Sequence, residues 1–374
     1  MNRAHSSASS LTLLSGLLLE PKKERVSERD TFRSHPLDCS AELGEAVTSY
    51  QPQDFGELWG LASSHHVIMR ALPRLHELLV AQGHDRAEWV EHALQQEQAR
   101  IDRALSYLSP ICDALEQAGD VVVIKSLDHW PDLGSDLDLY TNAKGPDVVA
   151  LMRQRFDART AERSWGDRLA NKWNFIVPGL PELVEVHVGR LGQTGEQVTI
   201  TNSVTSRSRF EKFGSQFLRV PAPEDRMIIS TLQRMYRHFY LRLCDIADNA
   251  RLIDAEMVDY AYLKSLASSA GLWDGLATYL FIVSEYVKAF RGTGLSLPAL
   301  VTCAARFGNE RVSFRRRFLR IPLFPQAVRL YLSEWEKLLR NGELQNALRL
   351  TLLPGLAAAA ALEFKLTGSD KGIW

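Results

Sequence analysis

Two aspartates that alternate with leucines have the spacing in this chain that most directly suggests chemistry. The run Asp136-Leu137-Asp138-Leu139 has the period of a β-strand, in which residues two apart point to the same face. Both carboxylates would project from one face while the leucines enter a core. Carboxylates this close repel each other unless a cation lies between them. Hard oxygen ligands on a short, rigid element suit Mg²⁺, which also takes substrate phosphates as ligands.

A second alternating run could add a third carboxylate to this face. Within residues 183–188, Glu185 and His187 share one side and three valines share the other. If the two runs form neighbouring strands, Glu185 lies beside Asp136 and Asp138. Three such carboxylates can hold one or two Mg²⁺ ions, or Mn²⁺ in their place, for an in-line displacement at phosphorus. A D-x-D pair alone is more often a solvated edge strand than a metal site, so the interpretation depends on its surroundings.

The loop before the aspartates offers groups that could hold a phosphate. It begins at Lys125-Ser126, after four β-forming residues, and ends at Gly134-Ser135. Backbone N–H groups and a hydroxyl at Gly134-Ser135 would suit an anion, although the same dipeptide is also typical of an ordinary tight turn.

Together these elements resemble the nucleotidyltransferase superfamily of the DNA polymerase β type. Its pattern is a strand ending in hydrophobic-Gly-Gly/Ser, a loop, an alternating Asp pair and a later strand with a central acidic residue. Here the elements read Ile124-Lys125-Ser126, Asp136-Leu137-Asp138-Leu139 and Val184-Glu185-Val186. The chain is most similar to a bacterial branch that carries helices on both sides of the core. The resemblance covers roughly residues 50–260 and includes helical runs at 223–225, 236–238 and 243–247.

The resemblance implies an α+β fold, in which a small mixed β-sheet forms a nucleotidyltransferase core between N-terminal and C-terminal α-helical regions. It implies that Asp136, Asp138 and Glu185 hold Mg²⁺ and carry catalysis. The reaction would move a nucleoside monophosphate from a nucleoside triphosphate to a hydroxyl or amine of an acceptor and release pyrophosphate. Nucleotide-binding residues would be Lys125, Ser126, Gly134, Ser135, Lys172, His187, Arg237 and Arg242.

Two departures from the family pattern concern phosphate binding. Lys125 occupies the position of the first glycine, where it would place an ammonium near the phosphates. The arginine that the branch often has before the aspartate pair does not occur in residues 128–135.

Several predicted contacts have an equally simple structural interpretation. His187 could contact a phosphate or make a structural hydrogen bond, and Lys172 could neutralise a triphosphate or lie on a solvated face. The polar and aromatic residues 236–245, which include Arg237 and Arg242, could stack on a base, grip phosphates or only pack helices together.

The acceptor is predicted to be a small molecule, because the net charge of −1 indicates no general affinity for nucleic acid. Transfer to tRNA or to a protein is an alternative. It would need the basic residues between Arg306 and Arg320 to lie along the cleft. A third possibility is a catalytically inactive scaffold that binds a nucleotide or a partner.

The 374 residues are predicted to form four regions. These are an N-terminal helix with a loop or arm at 1–50, a helical region at 51–118, the core at 119–222 and a C-terminal helical domain at 223–374. Residues 214–221 should form one short strand. Residues 11–19 should form a helix that packs on the body, and residues 350–362 a buried helix that does not span a membrane. The four scattered cysteines form no zinc or disulfide pattern, which favours a cytoplasmic protein.

Overall fold

A computed structural model describes residues 2–19 and 52–355, with side chains from residues 8 and 54 onward. Helices and small β-sheets make up the chain, which confirms the α+β class. The first four helices are α1 (Asn2–Leu19), α2 (Pro52–Ser64), α3 (Ile68–Ala81) and α4 (Ala87–Leu115). The predicted helix at 11–19 is part of α1, and all of its leucines except the half-buried Leu18 are buried, as expected. The predicted arm lies at 20–50, outside the described residues.

Five strands form the central sheet: β1 (Val121–Val123), β2 (Leu137–Thr141), β3 (Arg159–Thr160), β4 (Lys172–Ile176) and β5 (Val184–Val188). Their order is β1-β2-β5-β4-β3, in which β2 and β5 run parallel and the other neighbours antiparallel. The predicted adjacency of the two acidic strands is therefore confirmed. The connection from β2 to β3 contains α5 (Gly145–Phe156), and the connection from β3 to β4 contains α6 (Trp165–Leu169).

The alternation of side chains along the strands divides the sheet between two cores. Leu137, Leu139 and Val186 pack toward α4 and α5. Val122 and Tyr140 belong to the second core, which also contains apolar side chains of α1, α2, α3 and the C-terminal helices. The helical residues 51–118 thus contribute to both cores, because α4 packs on the sheet while α2 and α3 pack with helices distant in sequence.

Two regions differ from the predicted secondary structure. After α7 (Thr199–Ser206), the short strand predicted at 214–221 is present as β7 (Gln216–Val220). It pairs in a hairpin with β6 (Arg209–Phe213), a strand that was not predicted. The sequence of β6 does not show a strand pattern with an apolar face, because only Phe213 of its five side chains is buried. In the C-terminal region, β8 (Tyr240–Leu241), β9 (Ser313–Arg315) and β10 (Phe318–Arg320) form a three-stranded sheet between helices.

The remaining helices cover the sheet and extend from it. They are α8 (Pro223–Thr231), which continues as a π-helical turn (Leu232–His238), α9 (Leu243–Asp254), α10 (Tyr260–Ser269), α11 (Trp273–Arg291), α12 (Ala299–Thr302), α13 (Val328–Arg340) and α14 (Leu344–Thr351). The predicted buried helix at 350–362 begins in α14. Leu350 is buried but Leu352 is exposed, and residues 356–362 lie outside the described part. Among the described residues, none of the helices is both long and apolar enough to cross a membrane.

Candidate functional site

The parallel pairing of β2 and β5 sets Asp138 directly opposite Glu185. Each keeps 14% of its side-chain surface exposed, and His187 follows two residues later on the face of Glu185. Ligand atoms of Asp138, Glu185 and His187 all lie within 4.8 Å of one another. Asp136 lies just before β2, close enough to Asp138 and Glu185 for their negative charges to repel its carboxylate. The structure therefore brings the three predicted acids together.

Lys125 places its ammonium between these carboxylates. Its Nζ donates a short hydrogen bond to Asp138 and lies 3.5 Å from Glu185 Oε1 and 3.3 Å from His187 Nε2. The backbone of Lys125 has φ +61°, the left-handed conformation that glycine adopts most easily. The turn thus keeps a glycine-like shape at the position where the resemblance expects glycine, and it directs a positive charge into the site.

Asp136 has an unusual protonation equilibrium. Burial, and then repulsion from Asp138 and Glu185, raise its pKa to about 6, although Lys125 partly opposes this shift. Glu185 behaves in the opposite way. Burial alone would raise its pKa, but the nearby ammonium of Lys125, a hydrogen bond with His187 and the charge of Lys172 hold the pKa well below its ordinary value. Glu185 is therefore ionised at neutral pH.

Lys172 is buried in this structure, so the alternative of a solvated face is wrong. Its Nζ lies 2.9 Å from Glu185 Oε2 and 2.8 Å from Asp167 Oδ1. Burial lowers the pKa of Lys172, but the two carboxylates outweigh this effect and raise it overall. Asp167 was missed from the sequence, although the capping box that it forms with Ser164 at the start of α6 is a visible signal.

Two loop residues that were predicted to contact phosphate, Ser126 and Gly134, form hydrogen bonds within the protein. Ser126 Oγ donates to the carbonyl of Asp136 and accepts from the N–H of Asp138, so it fastens the turn to β2. The N–H of Gly134 donates to the carbonyl of Ser126 at 3.3 Å, while Ser135 is exposed. Phosphate binding by Ser126 and Gly134 remains a prediction that would require these hydrogen bonds to change.

A buried ion-pair network holds this loop, and sequence reasoning missed it. Asp132 accepts from Arg70 Nε at 2.8 Å, and Arg70 Nη1 donates to Asp248 at 2.6 Å. Asp248 also accepts a short hydrogen bond from His129, which lies in the same loop. The network joins α3, the loop and α9. Only the tertiary fold reveals it, because its members lie far apart in the sequence.

Arg100 packs against the loop 128–135, which itself contains no arginine. From α4 it donates to the carbonyl of Leu133 at 3.2 Å and to Glu182 at 2.9 Å. Because these hydrogen bonds hold the guanidinium against the loop backbone and Glu182, Arg100 does not take the place of the missing phosphate-binding arginine.

Two cavities adjoin Lys125. One is lined by Lys125, His187, Gln233 and Arg237 among others. The other contains Asp128, His129 and Arg226 and shares Lys125 and Gln233 with the first. Arg237 Nε is buried and has no hydrogen-bond partner in the described ranges. The first cavity is therefore rich in donors that could meet an anion.

The other predicted arginines lie elsewhere. Arg242 contacts His66 and the ring of Tyr240, and its backbone N–H caps α9 through Asp245. Arg306 pairs with Asp274, and Arg320 lies over the ring of Tyr240. None of the arginines from 306 to 320 lines either cavity beside Lys125.

The residues of the site fit a divalent cation. Asp136, Asp138 and Glu185 provide the oxygen ligands that Mg²⁺ prefers, and Lys125 already shows that the space between them accommodates positive charge. A second cluster with metal-binding residue types, His129, Cys244 and Asp245, fits less well. His129 already pairs with Asp248 through Nδ1, and Asp245 forms a buried ion pair with Arg234 at 2.7 Å.

Comparison of the chain with protein-family models, curated proteins and solved structures gives no match.

Proposed function

We propose that this protein is a Mg²⁺-dependent nucleotidyltransferase with a nucleotidyltransferase-type core. The observation that carries the proposal is the pairing of Asp138 with Glu185 across two parallel strands, with Asp136 beside them. The acids come from two parts of the chain, and the ammonium of Lys125 already lies between Asp138 and Glu185. The family resemblance assigns the same three residues to metal binding.

Asp136, Asp138 and Glu185 would hold the metal. When bound, Mg²⁺ neutralises phosphate charge and helps to activate the acceptor. Glu185 is suited to be a ligand because its low pKa keeps it ionised. Binding of a divalent cation would displace the ammonium of Lys125, which would then be free to contact the phosphates of the nucleotide.

The cavity that contains Lys125, His187 and Arg237 is the natural place for the triphosphate. Lys125 and Arg237 bring positive charge to this cavity, and Arg237 Nε is buried there without a hydrogen-bond partner in the described part of the chain. The acceptor oxygen or nitrogen would attack the α-phosphorus and lose its proton. The bond from that phosphorus to the bridging oxygen would break, and pyrophosphate would leave. Rate acceleration would come mainly from positioning and charge stabilisation.

Thermal unfolding with ATP, CTP, GTP and UTP, each with and without Mg²⁺, tests the proposal. A ligand that binds only the folded state raises its stability by about 2.7 kcal/mol at a hundred times its Kd. We expect one nucleotide to give a Mg²⁺-dependent rise that Asp138→Asn abolishes. Asp85→Asn is the matched control, because Asp85 is exposed on the surface. If Asp138→Asn leaves the rise intact, the assigned metal site is wrong.

A non-catalytic scaffold is the second candidate, and the position of Lys125 favours it. An ammonium that already neutralises Asp138 and Glu185 could replace the metal permanently. This candidate requires nucleotide or partner binding that does not depend on Mg²⁺, together with no release of pyrophosphate. Those two results, obtained in the assay above and in a pyrophosphate assay, would favour the scaffold over the enzyme.

A further inference from the structure

Exposed apolar side chains are concentrated in one part of the C-terminal region. Seven large apolar residues between 323 and 352 keep between 41% and 80% of their surface exposed. They are Leu323, Phe324, Val328, Leu332, Leu344, Leu348 and Leu352. Single apolar residues scattered over a surface are normal, but a large contiguous patch marks an interaction site. The packing of α13 and α14 decides whether these residues form such a patch.

Helical spacing places the exposed leucines of each helix on one face. Leu344, Leu348 and Leu352 follow one another at intervals of four along α14 and its C-terminal cap. Val328 and Leu332 are four residues apart on α13. Residues at this interval share one face of a helix. Each helix therefore carries an apolar stripe, and neither stripe contains the residues that the same helix buries.

Both stripes face away from the body of the protein. On the inner side, Glu334 of α13 accepts a hydrogen bond from Gln197, and Asn346 of α14 accepts one from Arg190 at 3.1 Å. Each of these acceptors is two positions from a stripe leucine, which places it on the opposite side of its helix. The two helices also pack against each other through a small core of their own. Their outer stripes therefore lie side by side on one surface.

The size of this surface matches one side of a stable protein interface. If each of the seven side chains exposes roughly 100 Å², the patch offers about 700 Å² of apolar area, close to the ~800 Å² that each partner of a standard interface buries. The largest apolar patch of a typical monomer is about 300–600 Å². A patch of this size is therefore expected to be covered by a partner.

Charged residues beside the patch suit a second copy of the chain. Arg329 lies three positions before Leu332, and Glu336 lies four positions after it; both are exposed. If two antiparallel copies of α13 meet at Leu332, Arg329 of each copy lies level with Glu336 of the other. Opposite charges then face each other across a twofold axis, as a symmetric dimer requires. Because the rim carries both signs of charge, it gives no preference for an anionic lipid surface.

We propose that this protein forms a symmetric homodimer through the outer face of α13 and α14. The apolar stripes of the two copies pack against each other and exclude water, and the exposed charges at the rim set the antiparallel register. None of the seven patch residues lines either cavity beside Lys125. The dimer is therefore independent of the proposed nucleotidyl transfer, and each can be tested without the other.

Size-exclusion chromatography with multi-angle light scattering, on the full chain at a series of micromolar concentrations, tests the dimer. We expect wild type at twice the chain mass of 42.1 kDa. Leu348→Glu should raise the dimer dissociation constant roughly a hundredfold, because each dimer would bury two unpaired carboxylates. Leu344→Glu, one turn earlier, should act in the same way. Val80→Glu is the matched control, because Val80 is similarly exposed but lies on α3, outside the patch, and this variant should stay dimeric.

The dimer is refuted if wild type is monomeric at every concentration, or if Leu348→Glu and Leu344→Glu both associate as tightly as wild type. A monomeric wild type whose unfolding temperature falls in Leu348→Glu would assign the cover to residues 356–374 of the same chain and refute the dimer. Co-sedimentation of a monomeric wild type with phosphatidylglycerol vesicles would assign the patch to a lipid surface, with the same consequence. The nucleotide-dependent rise in unfolding temperature should be equal in wild type and Leu348→Glu, so failure of the dimer is distinguishable from failure of the proposed function.

Discussion

Replacement of Lys125 by methionine should destabilise the metal-free protein and make it dependent on Mg²⁺. Lys125 Nζ is the cation between Asp138 and Glu185, and these side chains are only 12–14% exposed. Removal of one partner from a buried ion pair typically costs about 3–5 kcal/mol. Because the site keeps some solvent contact and Lys172 still compensates Glu185, we expect a loss of about 3 kcal/mol.

Lys125→Gly provides a second, calibrated variant. It removes the same charge but also relieves the left-handed backbone at φ +61°, which costs a residue with a side chain about 1–2 kcal/mol. Lys125→Gly should therefore be more stable than Lys125→Met by about that amount. Lys212→Met, on the exposed side of β6, is the matched control and should unfold like wild type.

The assay is urea unfolding with and without millimolar MgCl₂. In Lys125→Met the divalent cation should recover most of the lost stability, because it occupies the position that the ammonium has vacated. Wild type should respond little to MgCl₂ without nucleotide. If Lys125→Met is as stable as wild type, or if it gains nothing from MgCl₂, then the three carboxylates do not form a cation site.

Three other perturbations follow from the buried charges. Asp248→Asn breaks the network that holds residues 127–134, so it should lower the free energy of unfolding by about 3–5 kcal/mol. Amide hydrogen exchange in that loop should become faster, and unchanged exchange would show that other contacts hold the loop. Asp136→Asn should stabilise the metal-free protein at pH 8. The pKa of Asp136 is raised from 3.8 to about 6, so the associated stability is present below pH 4 and is lost as the pH rises through 6, which corresponds to at most about 3 kcal/mol; equal stability of the two proteins at pH 8 would contradict the repulsion among the carboxylates. Glu334→Gln should reduce the stability that the protein loses as the pH rises above 4.5, because the raised pKa of Glu334 makes its ionisation in the folded state unfavourable. An unchanged dependence of stability on pH would show that other contacts compensate the ionised carboxylate.

Local sequence patterns were sufficient to predict the two strands that position Asp136, Asp138 and Glu185. The alternation of Asp and Glu with Leu and Val predicted two strands with buried apolar faces, and β2 and β5 are those strands. Such patterns are reliable because side-chain direction in a strand follows directly from position along the chain. The same logic failed for β6, where exposed charges on a surface hairpin carry little apolar periodicity.

The environment of each acid was decided by the tertiary structure. Glu185 and Asp136 are the same type of group in the sequence, yet contacts with Lys125, His187 and Lys172 lower the pKa of one while burial raises that of the other. These contacts come from different strands and loops, so no local spacing encodes them. The parallel pairing of β2 with β5 and the packing of α13 beside the π-helical turn bring the charged groups together. Burial then makes their interactions strong, because water no longer screens them.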